Sequence, residues 1–406
     1  MKMANTVEFI LIFTAGTAES RFQPQLGQAP KSFEAHGSVF ETSGAPMLAE
    51  VRPGGYDVGM TARLEVRGLT VELPTVRGWI RPVNEVSFTV EQGETLGIVG
   101  ESGSGKTMLS LTLMGLEPHG ARCTGEAFLH AGKNGDETRD LIGASPDQLR
   151  KMRGRDIAMI FQEPMTALNP VMRVGVQIAE AIRVHEPGSS SSEVKQRALK
   201  SLERAAVPEA AHRAEQYPHQ LSGGLRQRVM IAMAIAAGPS LLIADEPTTA
   251  LDVTVQRQIL ELLGTLQTEL RLSMLFITHD LGVVAEVADR VAVMYAGRIV
   301  EEGSVLEVLR RPRHPYTAGL IAAAPRLRRE RSASIPGMVP ALDALPPGCA
   351  FAPRCGYVRE ECREAVPKMR RADCGHWARC VLVKEERQEM EEANEAKEKS
   401  KSRKKT

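Results

Sequence analysis

The sequence has few aromatic residues, few cysteines and no long apolar run. Phe, Trp and Tyr make up 4% of the 406 residues, which argues against a base-stacking surface for RNA. Lys and Arg number 51 and Asp and Glu number 50, so the formal net charge is only +1. Such a balance gives no electrostatic reason to expect nucleic acid as a partner. No apolar stretch reaches the roughly 20 residues that a membrane-spanning helix needs, so we predict no membrane span within this sequence.

The six cysteines are too sparse for the disulfide framework of a small secreted domain. Five of them lie between Cys349 and Cys380, which indicates one local site in a reducing compartment. Cys123 is far from this segment, and we interpret it as an ordinary buried thiol.

Composition divides the chain into four parts. Residues 1–60 lack periodicity and are rich in Gly, Ser, Pro and Ala, which is typical of a disordered leader. Met60 resembles an ordinary start, so we expect a chain beginning there to fold and assemble. We predict a large folded domain over 61–302 and a small cysteine-containing region over 303–383. Residues 384–406 are a run of charges, typical of a solvated helix or a disordered tail.

Short apolar runs alternate with helical patterns in the central part of the chain. Thr95–Val99, Leu241–Ala244 and Met274–Thr278 are typical of buried strands. Strands that alternate with helices predict an α/β fold with a parallel sheet covered on both faces. Val291–Tyr295 and Arg298–Glu301 are expected to form a closing β-hairpin.

The segment that follows the first buried strand matches the phosphate-binding loop pattern G-x-x-x-x-G-K-[ST]. Its glycines allow backbone N–H groups to point at phosphate oxygens, and the next helix adds its positive end. Lys106 is expected to reach the β- and γ-phosphates of ATP, and the Thr107 hydroxyl is expected to bind Mg²⁺. The loop itself comprises Gly100, Glu101, Ser102, Gly103, Ser104 and Gly105.

Two carboxylates end the strand Leu241–Ala244. Asp245 is expected at the carboxyl edge of the sheet, where it can hold Mg²⁺ through water. Glu246 comes next, and a second carboxylate beside the metal suits the polarisation of an attacking water. The alternative for Glu246 is a cap of the helix that Pro247 would begin.

A second phosphate cradle occurs in Leu221–Arg228, where a serine and two glycines open a helix. One nucleotide does not need two cradles from one chain, so this cradle is expected to close on ATP held by a second ATPase subunit. The residues Ser222, Gly223 and Gly224 belong to a segment that resembles the LSGG-x-Q-R signature of ABC-transporter ATPases.

This resemblance implies a P-loop NTPase with a RecA-like parallel sheet core and an inserted helical subdomain at about 163–225. It also implies roles for three more residues. Gln162 resembles the glutamine that touches Mg²⁺ beside the membrane domain, and Asp252 lies in a match to the loop that crosses the dimer interface. His279 resembles the histidine that contacts the γ-phosphate. Trp79 is the candidate for stacking on adenine, and a surface tryptophan is the alternative.

Several segments are similar to a narrower family, the ATP-binding subunits of oligopeptide, dipeptide and nickel importers. These segments are Met159–Met165, Tyr217–Gln220, Arg313–Thr317 and Gly348–Cys380. The resemblance implies a second ATPase subunit, two separate permease subunits and, indirectly, an extracytoplasmic solute-binding protein. It implies a peripheral location at the cytoplasmic face of the inner membrane. The alternative is a soluble, non-transport ABC ATPase, which a single phosphate-binding loop disfavours.

Four cysteines have the spacing C-x₅-C-x₆-C-x₁₇-C. Four thiolates on a loop-rich segment fit a tetrahedral Zn²⁺ or an iron–sulfur cluster, and reduced structural thiols are the third alternative. The family resemblance favours a [4Fe–4S] cluster, and it makes Cys374 a neighbour rather than a ligand. Because the segment is remote in sequence from Lys106, we expect a role in folding, docking or redox sensing rather than in ATP hydrolysis. The expected ligands are Cys349, Cys355, Cys362 and Cys380.

Overall fold

The computed structural model describes residues 62–132, 137–324, 334–373 and 375–383. The expected leader, the charged tail and Cys374 therefore lie outside the described residues, and the predictions made for them stay predictions. The strands are β1 (Ala62–Thr75), β2 (Gly78–Glu91), β3 (Thr95–Val99), β4 (Arg122–Ala131), β5 (Glu137–Asp140), β6 (Ile157–Ile160), β7 (Leu241–Asp245), β8 (Ser273–Thr278), β9 (Arg290–Tyr295), β10 (Arg298–Ser304), β11 (Arg370–Asp373) and β12 (His376–Ala378). The helices are α1 (Lys106–Leu113), α2 (Pro146–Met152), α3 (Pro164–Ala167), α4 (Val174–His185), α5 (Ser191–Arg204), α6 (Ala210–Ala214), α7 (Gly223–Ile235), α8 (Val253–Leu270), α9 (Leu281–Val287), α10 (Val305–Arg310), α11 (Pro315–Ala323) and α12 (Glu361–Glu364).

The main sheet has eight strands in the order β11-β12-β10-β9-β3-β8-β7-β6. Strands β9, β3, β8, β7 and β6 pair in parallel, and helices connect them, as the apolar runs predict. All five residues of β3 and of β7 are buried, which explains why these strands read as continuous apolar runs. The α/β fold with a parallel sheet core is confirmed.

The predicted closing hairpin is present as β9 and β10, which pair antiparallel. Strand β12 then pairs with β10, and β11 pairs with β12. The cysteine-containing segment therefore returns to the sheet and extends its edge. The composition of this segment marked it as a separate region but did not predict these two short strands.

A second sheet of four antiparallel strands, in the order β2-β1-β4-β5, covers one face of the core. Its apolar residues pack with α1 and with residues of β3, β7 and β8 in one cluster that includes Val66, Phe88, Leu109 and Ile243. The sequence analysis did not predict β4, because the first five residues of β4 are exposed or half-buried. Their polar composition gives no strand periodicity.

Helices α4 to α7 pack with the other face of the sheet in a second apolar cluster, and the expected helical subdomain at about 163–225 stays a prediction. Ile178, Leu202 and Ile231 are fully buried there, together with Phe276 of β8. Ser190 and Glu193 form a reciprocal capping box that begins α5. Among the residues that the structure describes, no helix is long and apolar enough to cross a membrane.

Candidate nucleotide site

Four parallel strands end at one edge of the main sheet, and a candidate site residue follows each of them. The register pairs Val99 with Thr278, Ile277 with Asp245, and Ala244 with Ile160. The phosphate loop, the carboxylates after β7, His279 and Gln162 are therefore brought to the same edge. Ligands of open α/β sheets bind at this carboxyl edge.

The phosphate loop requires glycine at defined positions. Gly103 and Gly105 have φ angles of +80° and +104°, which side chains rarely tolerate. A Cβ atom on Gly105 would lie 1.8 Å from the carbonyl oxygen of Pro82, and one on Gly100 would lie 2.1 Å from that of Met294. The backbone thus curls tightly against neighbouring strands, as the motif predicts.

Lys106 lies over the loop that precedes it. Its Nζ donates to the carbonyl oxygens of Gly100 at 2.8 Å and Glu101 at 3.1 Å. Burial lowers the pKa of Lys106, and the nearby carboxylates of Glu246 and Asp245 oppose this effect. The ammonium group is therefore held where a phosphate would compensate its charge.

Asp245 is 1% exposed and faces the start of α1. The Thr107 hydroxyl lies 3.5 Å from its Oδ1, and the Ser110 hydroxyl donates to its Oδ2 at 3.3 Å. Burial raises the pKa of Asp245 to about 6 against an ordinary value of 3.8. The carboxylate and the Thr107 hydroxyl are hard oxygen donors of the kind that Mg²⁺ prefers.

Glu246 is the centre of a hydrogen-bond network and has a strained backbone, with φ at +46°. Its Oε2 accepts from Gln162 at 3.2 Å and from the Thr249 hydroxyl at 2.9 Å, and it lies 3.4 Å from His279 Nδ1. The His279 hydrogen bond lowers the pKa of Glu246, and Glu246 in turn raises the pKa of His279. The three predicted catalytic residues, Glu246, His279 and Gln162, are thus brought together. A carboxylate that stays ionised here suits a general base.

Ser222 and Asp252 both begin helices. The Ser222 side chain accepts from the Leu225 N–H at 3.4 Å, and Asp252 accepts from the Val255 N–H at 3.0 Å. A Cβ atom on Gly224 would lie 2.8 Å from a Val255 methyl group, so the two helix starts pack closely. This contact places the signature segment beside Asp252, and the prediction that both face a second subunit stays a prediction.

Trp79 lies at the start of β2 and is 45% exposed. The Arg122 guanidinium lies over its ring, 3.9 Å from the centroid. One ring face is therefore covered by a cation, which is a partner that exposed tryptophans commonly have. The adenine-stacking role stays a prediction.

Comparison with known proteins decides the family. Residues 83–249 match the model of the ABC transporter family, and residues 300–362 match that of the oligopeptide/dipeptide transporter C-terminal region. The chain is 52% identical over 332 residues to a putative peptide import ATP-binding protein of Brucella melitensis, covering 79% of this chain and 97% of that protein. The chain belongs to the ATP-binding subunits of this ABC transporter family. A similarly named Brucella abortus protein is 48% identical over 308 residues, covering 75% of this chain and 91% of that protein.

Solved structures agree with the ABC transporter fold. A dimeric ATP-binding cassette bound to ADP and Pi has a TM-score of 0.52 and 29% identity, covering 60% of this chain and 98% of that one. A Clostridium perfringens subunit of an ABC transporter complex has a TM-score of 0.51 and 26% identity, covering 62% of this chain and 92% of that one. The predicted P-loop NTPase fold and the ATPase class of this ABC subunit are confirmed.

The four expected cysteine ligands line one narrow pocket together with His314 and Phe351. All four are free cysteines. Burial raises the pKa of the Cys349 and Cys355 thiols and raises that of Cys380 to about 11. Within the described ranges, no group of three or more His, Cys, Asp or Glu residues is arranged to hold a metal ion. The ligand assignment stays a prediction. Cys123 lies apart on β4, where it is half-buried rather than buried as predicted.

The structure adds two contacts to the phosphate loop that the sequence analysis missed. Arg354, next to Cys355, forms a salt bridge with Glu101, and Tyr316 bonds to the backbone of Glu101. The cysteine-containing segment, which is remote from Lys106 in sequence, therefore lies against the phosphate loop, and its expected role in folding, docking or redox sensing stays a prediction. The sign of these contacts available in the sequence was the family resemblance of the segment Arg313–Thr317, which contains Tyr316.

Proposed function

We propose that this ABC subunit hydrolyses ATP to drive import of oligopeptides, dipeptides or a related solute such as nickel through separate permease subunits. The observation that carries the proposal is the Glu246 network at the end of β7, with the phosphate loop after β3 at the same edge of the sheet. The C-terminal match and the printed names of the Brucella relatives support the solute class.

Each side chain of the nucleotide site has a separate role in ATP hydrolysis. Lys106 binds the β- and γ-phosphates, while Thr107, Asp245 and Gln162 hold Mg²⁺, which neutralises developing phosphate charge when bound. Glu246 accepts a proton from the attacking water, and His279 holds Glu246 ionised and oriented through their 3.4 Å contact. The loop from Gly100 to Gly105 supplies backbone donors to the phosphates, except for the Glu101 N–H, which bonds to Tyr316.

A second ATPase subunit completes the site in this proposal. Ser222, Gly223 and Gly224 are assigned to the ATP held by the partner, because the start of their helix forms a separate anion cradle. Asp252 is assigned to the subunit interface, because its loop resembles the one that crosses the dimer interface. The dimeric cassette among the solved structures supports this arrangement. Closing on two ATP molecules and reopening after hydrolysis would convert nucleotide turnover into motion of the permeases.

Three exposed apolar residues that follow Gln162 in the sequence, named here the docking patch, suit docking on a permease. Met165 is 53% exposed, Val171 is 79% exposed and Val176 is 48% exposed. These residues follow Gln162 within one stretch of the helical subdomain, and Gln162 donates to Glu246. A movement of the docked residues can therefore be transmitted through Gln162 to the Glu246 network. We assign the subunit to the cytoplasmic face of the inner membrane, with the extracytoplasmic solute-binding protein as an indirect partner. Nothing in the comparisons supports the soluble, non-transport alternative.

The four pocket cysteines are proposed to hold a [4Fe–4S] cluster, with Zn²⁺ as the alternative. Backbone N–H groups point at their sulfurs: Tyr357 donates to Cys355 at 3.4 Å, and Arg359 donates to Cys362 at 3.5 Å. Similar bonds from Phe351 and Leu382 reach the other two thiols. Such bonds stabilise sulfur ligands of clusters. Since burial disfavours the thiolates, binding would release protons and would weaken as the pH falls.

The test of the transport role is uptake of a labelled dipeptide by cells that lack this subunit. Wild-type protein should restore ATP-dependent uptake, and Lys106→Ala should not restore it. Uptake of labelled nickel, measured in the same cells, shows whether nickel rather than a dipeptide is the transported solute. Equal dipeptide and nickel uptake with and without the subunit would contradict the proposal, and amino-acid uptake serves as the control for general energisation.

A further inference from the structure

Two residues of the C-terminal region, Arg354 and Tyr316, bind Glu101 of the phosphate loop, and together they form the clamp. The Arg354 guanidinium binds its carboxylate with two hydrogen bonds, Nη1 to Oε2 at 2.6 Å and Nη2 to Oε1 at 3.0 Å. The Arg354 side chain is 3% exposed, and that of Glu101 is 30% exposed. A buried bidentate pair of this kind fixes orientation as well as distance.

A second bond fixes the backbone of the same residue. The Glu101 N–H donates to the Tyr316 hydroxyl oxygen at 2.8 Å. Tyr316 is fully buried, and its ring packs on Tyr295 and Phe351 with centroids 4.6 and 5.4 Å away. The sequence analysis expected the N–H groups of the loop to point at phosphate oxygens. The Glu101 N–H instead bonds to Tyr316, so it is not aimed at a phosphate.

The tyrosine is itself held by a buried network. His314 caps α11 by accepting from the Tyr316 N–H at 3.1 Å, and the His314 N–H donates to Glu301 at 2.8 Å. Glu301 also bonds His376 of β12 at 2.8 Å. The clamp is therefore anchored in strand β10 and in the edge that β12 adds to the sheet, not in a mobile surface loop.

We propose that Arg354 and Tyr316 are positioning residues for nucleotide binding, which hold the phosphate loop through Glu101 in the conformation that accepts ATP. A loop held in place before the nucleotide arrives loses less conformational freedom on binding. Removing the clamp should therefore weaken MgATP binding more than it slows turnover at saturating MgATP. The inference rests on the ATPase activity and does not depend on the transported solute, so its failure would leave the import proposal standing.

Equilibrium titration of the full chain with a fluorescent ATP analogue and Mg²⁺ tests the clamp. Tyr316→Phe keeps the ring and removes only the hydroxyl, and it should raise Kd about 5-fold; Arg354→Ala should raise it about 10-fold or more. Arg354→Lys, which cannot bind both oxygens, should fall between wild type and Arg354→Ala. Tyr357→Phe removes a hydroxyl from an exposed tyrosine of the same region and should leave Kd unchanged.

Two further readouts separate positioning from a loss of folded protein. Steady-state hydrolysis should show KM for MgATP rising by a larger factor than kcat falls. Combining Glu101→Gln with Arg354→Ala should weaken binding no more than the worse single variant does, since both remove the same contact. Wild-type Kd in Tyr316→Phe and Arg354→Ala would overturn the proposal. So would a lower active fraction at unchanged Kd and KM, or additive effects in the double variant.

Discussion

Asp245→Asn should stabilise the nucleotide-free subunit, although it should abolish the response to Mg²⁺. Asp245 is buried at the end of β7, and its pKa is raised from 3.8 to about 6. Between these two values the folded chain keeps a proton that the unfolded chain has released. The free energy of unfolding therefore falls as the pH rises through this interval, and it stays lower at neutral pH.

The size of the effect follows from the two pKa values. The difference of about two pKa units corresponds to about 3 kcal/mol at pH 8, where Asp245 is ionised in both states. At pH 4.5 the same relation gives about 1 kcal/mol. Asparagine carries no charge; its oxygen can accept from Thr107 at the position of Oδ1, and its NH₂ group can donate to the Ser110 hydroxyl oxygen at the position of Oδ2. The gain in the free energy of unfolding of Asp245→Asn over wild type should therefore grow from about 1 to about 3 kcal/mol between these pH values.

Urea unfolding in EDTA at pH 4.5 and pH 8 measures this gain. Asp252→Asn is the matched control, because Asp252 is an exposed helix cap and asparagine caps equally well. The control should change the free energy of unfolding by less than about 0.5 kcal/mol at both pH values. A gain for Asp245→Asn that is absent at pH 8, or equal at the two pH values, would refute the reasoning.

Three further predictions concern binding and assembly. Lys106→Ala should raise the Kd for MgATP at least about 100-fold, because it removes a charge-assisted phosphate contact; a Kd within 3-fold of wild type, as measured by nucleotide titration, would contradict this. Val171→Glu should prevent copurification with the permeases and leave nucleotide binding unchanged, and retained copurification would refute the docking patch. Cys380→Ser should lose iron and sulfide, or zinc, after anaerobic purification, whereas Cys123→Ser should retain them; absence of all three from wild type would favour structural thiols.

The parallel core and the nucleotide site were predictable because their signals are local. Gly100–Thr107 must curl around a phosphate, and the carboxylates Asp245 and Glu246 directly end an apolar strand. Parallel strands bring such ends together, so sequence order alone predicts the shared edge. The strained backbone at Glu246 and its bond to Thr249 have no sequence signature.

The edge of the sheet and the clamp on Glu101 were not predictable, because they depend on contacts between distant segments. Arg354 follows Glu101 by 253 positions, and nothing in either residue's neighbourhood specifies the other. Strands β11 and β12 are four and three residues long, too short for periodicity to appear. Composition marked their segment as distinct, while its pairing with β10 makes it part of the main sheet.

The most direct test of the central claim is MgATP hydrolysis by the assembled transporter that carries Glu246→Gln. Glutamine keeps the shape of Glu246 and its contacts with Gln162 and Thr249 but cannot take a proton from water. The account predicts MgATP binding close to that of wild type, hydrolysis slowed at least about 100-fold, and accumulation of ATP-bound subunit dimers. Turnover near the wild-type rate would contradict the assignment of Glu246 and the ATPase mechanism built on it.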